Sequence, residues 1–134
     1  MAEPKTKPTG ASVTAFIDAV ENETRRKDAK VLLKIMREAT GEKPRLWGAS
    51  IIGYGAYESP TGPWPLTGFS PRKANMVVYV MPGFAGYDAL LARVGKYKTG
   101  KSCLYLGPFK DLDLVALQEL VTRATQAMRE KHGA

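Results

Sequence analysis

The chain contains 134 residues, of which 44% are hydrophobic and 25% are charged, and its formal net charge is +7. These values are typical of one globular domain that can bury a core, and the single cysteine and single histidine exclude an intramolecular disulfide and a zinc site of four Cys and His ligands. No apolar run approaches the ~20 residues of a membrane span, and the first residues lack an apolar signal segment. A cytoplasmic protein that does not enter membranes is therefore expected.

The N-terminal third predicts two helices after a polar tail. Residues 1–11 are expected to be a disordered tail, residues 12–130 a single domain, and residues 131–134 a frayed end. Ser12 is a suitable N-cap for a short first helix, and Asn22 or Thr24 for a second. The second helix should end at Gly41, which can adopt a positive φ. Its basic residues are interpreted as a solvated face: Arg25, Arg26, Lys27, Lys30, Lys34 and Arg37.

After Pro44 the pattern changes to short β-prone segments between glycines and prolines. Extended segments are predicted at 50–57, 66–70, 76–81 and 102–106, and the apolar run 76–81 predicts a central strand buried on both faces. A short helix is predicted at 87–94, and Asp113 is the expected N-cap of a last helix. The predicted fold class is therefore α+β: a small antiparallel sheet of about four strands, packed with N-terminal helices, a short middle helix and a C-terminal helix.

The positive charge is concentrated in the middle of the chain. Residues 46–110 contain seven Lys or Arg and two Asp or Glu, and most of the aromatic residues lie in the same segment. Rings beside cations suit an anionic ligand, so we predict a ligand-binding face. Its candidate residues are Trp47, Tyr54, Trp64, Phe69, Arg72, Lys73, Lys98 and Lys101. Core packing is the favoured alternative for Trp47, Tyr54 and Phe69, whereas Trp64, between two prolines, is the aromatic residue that core packing explains least.

Segment 95–102 matches the phosphate-binding pattern G-x-x-x-x-G-K-[ST]. A true P-loop leaves a strand and opens a helix, whereas here a predicted helix precedes the segment and a predicted strand follows it. We therefore interpret the match as a turn that does not bind nucleotides.

Catalytic and metal chemistry have little support in the sequence. The only histidine is His132, near the C-terminus, so a Ser-His-Asp or Cys-His site in the body of the fold is excluded. No enzymatic activity and no cofactor are expected. Oxygen ligation of a metal is an alternative at two carboxylate pairs, although both pairs are typical of helix starts: Glu21 with Glu23, and Asp111 with Asp113.

Four motifs in one order carry a family resemblance: LWGASIIGYGAY (46–57), WPLTGFSPRK (64–73), MVVYVMPGF (76–84) and LARVGKYKTGKSCLYL (91–106). Over residues 12–125 the chain resembles the bacterial YdhG-like family, largely a family of domains of unknown function. The resemblance implies a compact α+β domain. One branch is described as a frataxin-like iron chaperone for iron–sulfur cluster assembly, which implies iron as a ligand. Frataxin-like iron binding is attributed to an acidic ridge, whereas this chain is basic, so no iron ligand is assigned to a position.

The sequence thus predicts a non-enzymatic domain that binds a small anionic ligand or a protein partner through a basic aromatic face. Two alternatives stay open: a frataxin-like iron chaperone, and a protein that binds single-stranded nucleic acid.

Overall fold

The computed structural model describes residues 12–48, 50–60, 62–73 and 75–132. The predicted tail at 1–11 and residues 133–134 lie outside the described residues. The helices within these ranges are α1 (Val13–Asp18), α2 (Glu23–Thr40), α3 (Asp88–Val94) and α4 (Leu114–His132), and a 3₁₀ turn spans Phe109–Asp111. The strands are β1 (Pro44–Trp47), β2 (Ile51–Tyr54), β3 (Tyr57–Ser59), β4 (Gly62–Trp64), β5 (Thr67–Pro71), β6 (Met76–Tyr79), β7 (Tyr97–Thr99) and β8 (Cys103–Leu106).

The helix ends follow the capping signals in the sequence. The Ser12 Oγ accepts a hydrogen bond from the Ala15 N–H, and the Asn22 Oδ1 accepts one from the Arg25 N–H. Both contacts satisfy a backbone donor that the first turn of a helix leaves free. Gly41 ends α2 with a φ of 71°, a left-handed conformation that suits glycine. The predicted caps Ser12, Asn22 and Gly41 are confirmed.

The α+β fold class is confirmed, but the strand count exceeds the predicted four. Among the described residues, six strands form one antiparallel sheet in the order β1-β2-β5-β6-β8-β7, and β3 and β4 form a separate hairpin. The two edge strands, β1 and β7, were not predicted. β7 has three exposed residues and falls in the segment interpreted as a basic turn, and its pairing with β8 makes it a strand. The predicted strand 50–57 is split because the chain turns at Gly55, which has a φ of 67°.

The predicted central strand is confirmed in β6, which lies between β5 and β8. Met76, Val77 and Val78 are fully buried, so β6 is covered on both faces at these positions. Because side chains alternate along a strand, the register assigns each residue to a face. Ile52, Phe69, Val78 and Leu104 are paired in one row, and all four belong to the core shared with the helices.

We call the sheet face towards the helices the inner face and the opposite one the outer face. One long-range contact ties the inner face to the helices, and a second ties α4 to the end of α2. The hydroxyl of Tyr54 donates a hydrogen bond of 3.0 Å to the carbonyl oxygen of Leu33 in α2. At the far end of α4, Arg129 donates to the carbonyl oxygen of Thr40 at 2.6 Å and to Glu42 at 3.0 Å.

The C-terminal helix extends further than predicted. Residues 131 and 132, expected to fray, continue α4, and the Tyr57 ring of β3 lies 4.5 Å from the His132 ring, measured between centroids. None of the helices in the described part of the chain combines the length and the apolar character that a membrane span requires.

Candidate functional site

Three of the predicted ligand-binding residues lie in the protein interior. Trp47 is 1% exposed, and Tyr54 and Phe69 are 0% exposed. Tyr54 and Phe69 point to the inner face and belong to the core, so neither presents a surface to a ligand. The burial of the three rings agrees with the core-packing alternative that was favoured for them from the sequence.

Trp47 is buried on the outer face for a geometric reason. Its indole lies over Gly53, where an added Cβ would be 2.6 Å from Cδ1 and 2.7 Å from Nε1. Pro65 also packs against this position, because its Cβ would lie 2.7 Å from a Cβ added to Gly53. The glycine therefore creates the space that the ring fills.

The outer face beside Trp47 is polar and aromatic. Ser70, Val77, Tyr105 and Lys98 are paired in one row across four strands. Gly53 and Gly68 are paired in the adjacent row, which continues with Tyr79 and Cys103. Two tyrosines and a lysine thus share this face, and the sequence prediction missed both tyrosines. Half-buried and buried residues alternate along β8, and this alternation places Tyr105 on the outer face.

Arg72 is held on the outer face by a tyrosine. Its Nη2 donates a hydrogen bond of 2.9 Å to the hydroxyl oxygen of Tyr79. Burial raises the pKa of Tyr79, and the charge and hydrogen bond of Arg72 oppose that rise. The phenol is therefore neutral near pH 7.

At one end of β7 and β8 lies a cleft with a volume of about 580 Å³. We call it the basic groove, and its polar and aromatic lining consists of Asn75, Lys96, Tyr97, Lys98, Tyr105 and Asp111. Among the described residues, no carboxylate forms an ion pair with Lys96 or Lys98. Lys96 and Lys98 exceed the carboxylate of the lining, Asp111, by a formal charge of +1, and together with Tyr105 they make the groove suitable for an anion with a planar group.

Arg72 and Lys73 line a different cavity. This second cavity, which we call the α2 cavity, has a volume of about 300 Å³ and also includes Arg25 from the first turn of α2. The two predicted cations therefore lie together, but the structure separates them from the cavity that Lys98 lines.

The remaining two predicted residues lie elsewhere. Trp64 is half-buried in β4, where it is paired with Tyr57 of β3. Lys101 is exposed in the turn that joins β7 to β8. The eight predicted residues are thus distributed between the interior, two cavities, a hairpin and a turn.

Segment 95–102 has the backbone order expected for a turn. It follows α3 and contains β7, and the Gly100 N–H donates a 2.8 Å hydrogen bond to the Cys103 carbonyl oxygen at the turn into β8. No helix begins at its end, so it lacks the strand–loop–helix geometry by which a P-loop holds phosphate.

The carboxylates considered for metal binding have other neighbours. Glu23 pairs with Lys27 at 3.2 Å, and the Asp113 Oδ1 accepts hydrogen bonds from the N–H groups of Val115 and Ala116. Asp113 therefore caps α4, as predicted. Within the described ranges, no group of three or more His, Cys, Asp or Glu side chains is placed to hold a metal ion.

Comparison of this chain with protein-family models, with curated proteins and with solved structures finds no match.

Proposed function

We propose that this chain is a non-enzymatic binding domain that holds a small anionic ligand in the basic groove. The observation that carries the proposal is the meeting of Lys96 and Lys98, neither of which has an ion-pair partner among the described residues, with Tyr97 and Tyr105 around one cleft. Two ammonium groups attract an anion and raise its encounter rate. Tyr105, which the register places on the same face as Lys98, offers a ring on which a planar group can stack. A ligand with both features, such as a nucleotide, fits this lining best.

Lysines on an edge strand also have a purely structural role. β7 is an edge strand of the main sheet, and lysines there discourage its open edge from pairing with another chain. A useful experiment must therefore measure ligand affinity separately from solubility.

The proposal is tested by calorimetric titration of the purified protein with pyrophosphate and with adenosine monophosphate. We expect both probes to bind, and the double variant Lys96→Gln/Lys98→Gln to bind each about tenfold or more weakly, because charge-assisted contacts are lost. Tyr105→Ala should weaken the nucleotide but not pyrophosphate, since stacking of a base on an aromatic ring contributes about 1–3 kcal/mol. Lys34→Gln, at an exposed position of α2 on the other side of the sheet, is the matched control.

Unchanged affinity in the double variant would eliminate the groove as the site. Binding of a thymidine 15-mer that falls steeply with salt, with no binding of the mononucleotide, would favour single-stranded nucleic acid as the ligand. Binding of ferrous iron under anaerobic conditions, unaffected by the lysine substitutions, would favour the iron chaperone.

We also propose that the chain is a member of the YdhG-like family. In support, the motif segments that carry the resemblance include β2, β5, β6 and the β7–β8 hairpin, which together make up most of the main sheet. If the chain shares the fold of the family, the motifs that carry the resemblance are expected to lie in one structural unit, such as this sheet.

A further inference from the structure

The α2 cavity lies where α1, the start of α2 and the turn between β5 and β6 meet. Its volume is about 300 Å³, at the lower end of the range of small-molecule sites. Phe16, Val20 and Pro71 provide apolar wall, and Arg25, Arg72 and Lys73 provide the charge. A cavity with one apolar side and one cationic side suits a ligand that has an organic group and an anionic group.

The charges that line this cavity add up to an excess of positive charge. Arg25, Arg72 and Lys73 are cationic, and Glu21 is the carboxylate among the described lining residues, which leaves a formal excess of +2. In the part of the chain that the structure describes, none of the three cations forms an ion pair. The guanidinium of Arg72 is held on the outer face by the Tyr79 hydroxyl, so Arg72 contributes positive charge near the cavity. Arg25 and Lys73 are the cations whose donors we assign to a ligand.

Arg25 is the residue whose hydrogen bonding is incomplete. Its Nε atom is buried and has no hydrogen-bond partner among the described residues. The next residue, Arg26, differs, because its Nη1 donates a 2.9 Å hydrogen bond to the carbonyl oxygen of Val20. A buried donor on a charged group is costly to leave without an acceptor. The Nε–H and one terminal N–H of a guanidinium form a fork that matches two oxygens of a phosphate group.

We propose that the α2 cavity binds a phosphate monoester. The phosphate, which carries a charge of about −1.5 to −2 near pH 7, balances the excess of positive charge. When the Arg25 side chain turns its buried Nε–H towards the cavity, the phosphate accepts hydrogen bonds from the Arg25 fork and from Lys73, and its organic group lies on the apolar wall. This site is separate from the basic groove, and neither proposal depends on the other.

Phenyl phosphate and inorganic phosphate are suitable probes, and ¹⁵N-edited NMR spectra of the arginine Nε–H groups give a direct measurement. We expect phenyl phosphate to shift the Arg25 Nε–H signal downfield and to bind more tightly than inorganic phosphate. Arg25→Lys keeps the charge but removes the fork, and it should weaken phenyl phosphate about tenfold or more. Lys73→Gln, in an exposed turn, should weaken it by a smaller factor and provides a second variant if Arg25→Lys does not fold. Lys98→Gln is the matched control and should leave this affinity unchanged.

Three results would overturn the proposal. The first is an Arg25 Nε–H signal that does not move at saturating phenyl phosphate. The second is equal affinity in the wild type and the folded Arg25 or Lys73 variants. The third is benzoate binding as tightly as phenyl phosphate, which would make the site one for carboxylates. If phenyl phosphate binding is lost in Lys98→Gln but kept in the Arg25 and Lys73 variants, the basic groove is the site and the α2 cavity is not.

Discussion

At the scale of single residues, the outer face depends on positions without large side chains. Gly53 and Gly68 are paired across β2 and β5, and the Trp47 indole occupies the space above Gly53. The packing leaves two polar atoms buried without a hydrogen-bond partner in the described residues, the Nε1 of Trp47 and the Oγ of Ser70. The apolar contact of the indole with the sheet therefore has to outweigh the desolvation of these atoms.

Substituting Gly53 with alanine tests this packing. The added Cβ would lie 2.6 Å from the Trp47 Cδ1 and 2.7 Å from the Pro65 Cβ, so both neighbours must move. We expect Gly53→Ala to lower the free energy of unfolding by about 1–3 kcal/mol, the usual cost of overpacking, in urea denaturation. The control is Gly107→Ala, because no described atom lies within 4 Å of a Cβ built there beyond its chain neighbours. Equal stability of the two variants would contradict the close packing of Trp47.

At the scale of elements, helices and strands could be predicted where the residues that define them are close together in the sequence. Ser12, Asn22, Gly41 and Asp113 mark their helix ends through contacts within a few residues, so the sequence is sufficient to find them. The edge strands β1 and β7 each form a hairpin with the strand that follows, β2 and β8, and neither hairpin was predicted from the sequence. Strand pairing is a tertiary interaction, which explains why helices were predicted more accurately than the sheet.

The cap of α4 offers a quantitative test at this scale. The Asp113 Oδ1 accepts hydrogen bonds of 3.0 Å and 3.1 Å from Val115 N–H and Ala116 N–H. Asp113→Ala should therefore lower the free energy of unfolding by about 1 kcal/mol, measured in urea. Asp113→Asn keeps an acceptor oxygen and should retain most of the stability. Equal losses in both variants would show that charge, and not the capping hydrogen bond, is what matters at this position.

At the scale of the whole molecule, the sequence predicted one binding face, whereas the structure distributes its cations mainly between two separate cavities. Phe69 and Ser70 are adjacent in sequence yet lie on opposite faces of the sheet, because side chains alternate along β5. Proximity in the sequence therefore could not show which ring accompanies which cation. Contacts between residues far apart in the sequence could not be predicted either. Arg25 was interpreted as part of the solvated face of α2, and only the fold brings it to Arg72 and Lys73.

The hydrogen bond from Tyr54 to the Leu33 carbonyl links the sheet to α2, and it also links stability to protons. Burial raises the pKa of Tyr54 above its ordinary value of about 10, and the charge of Arg37 opposes this rise. The folded protein thus holds the phenolic proton more tightly than the unfolded chain does. Tyr54 stabilises the fold fully below about pH 10, and above it the contribution falls by up to about 1.4 kcal/mol per pH unit.

Tyr54→Phe should therefore destabilise the protein more near neutral pH than in alkali. Near pH 7 the variant loses the hydroxyl contact and about 1 kcal/mol of unfolding free energy, whereas near pH 11 its deficit relative to the wild type should shrink. Urea denaturation at both pH values measures the difference, and Tyr97→Phe, at an exposed position of β7, should match the wild type at both. A deficit that is the same at pH 7 and pH 11 would contradict the linkage. If the deficit shrinks as expected, the phenol that joins two layers of the fold limits how much alkali the protein tolerates.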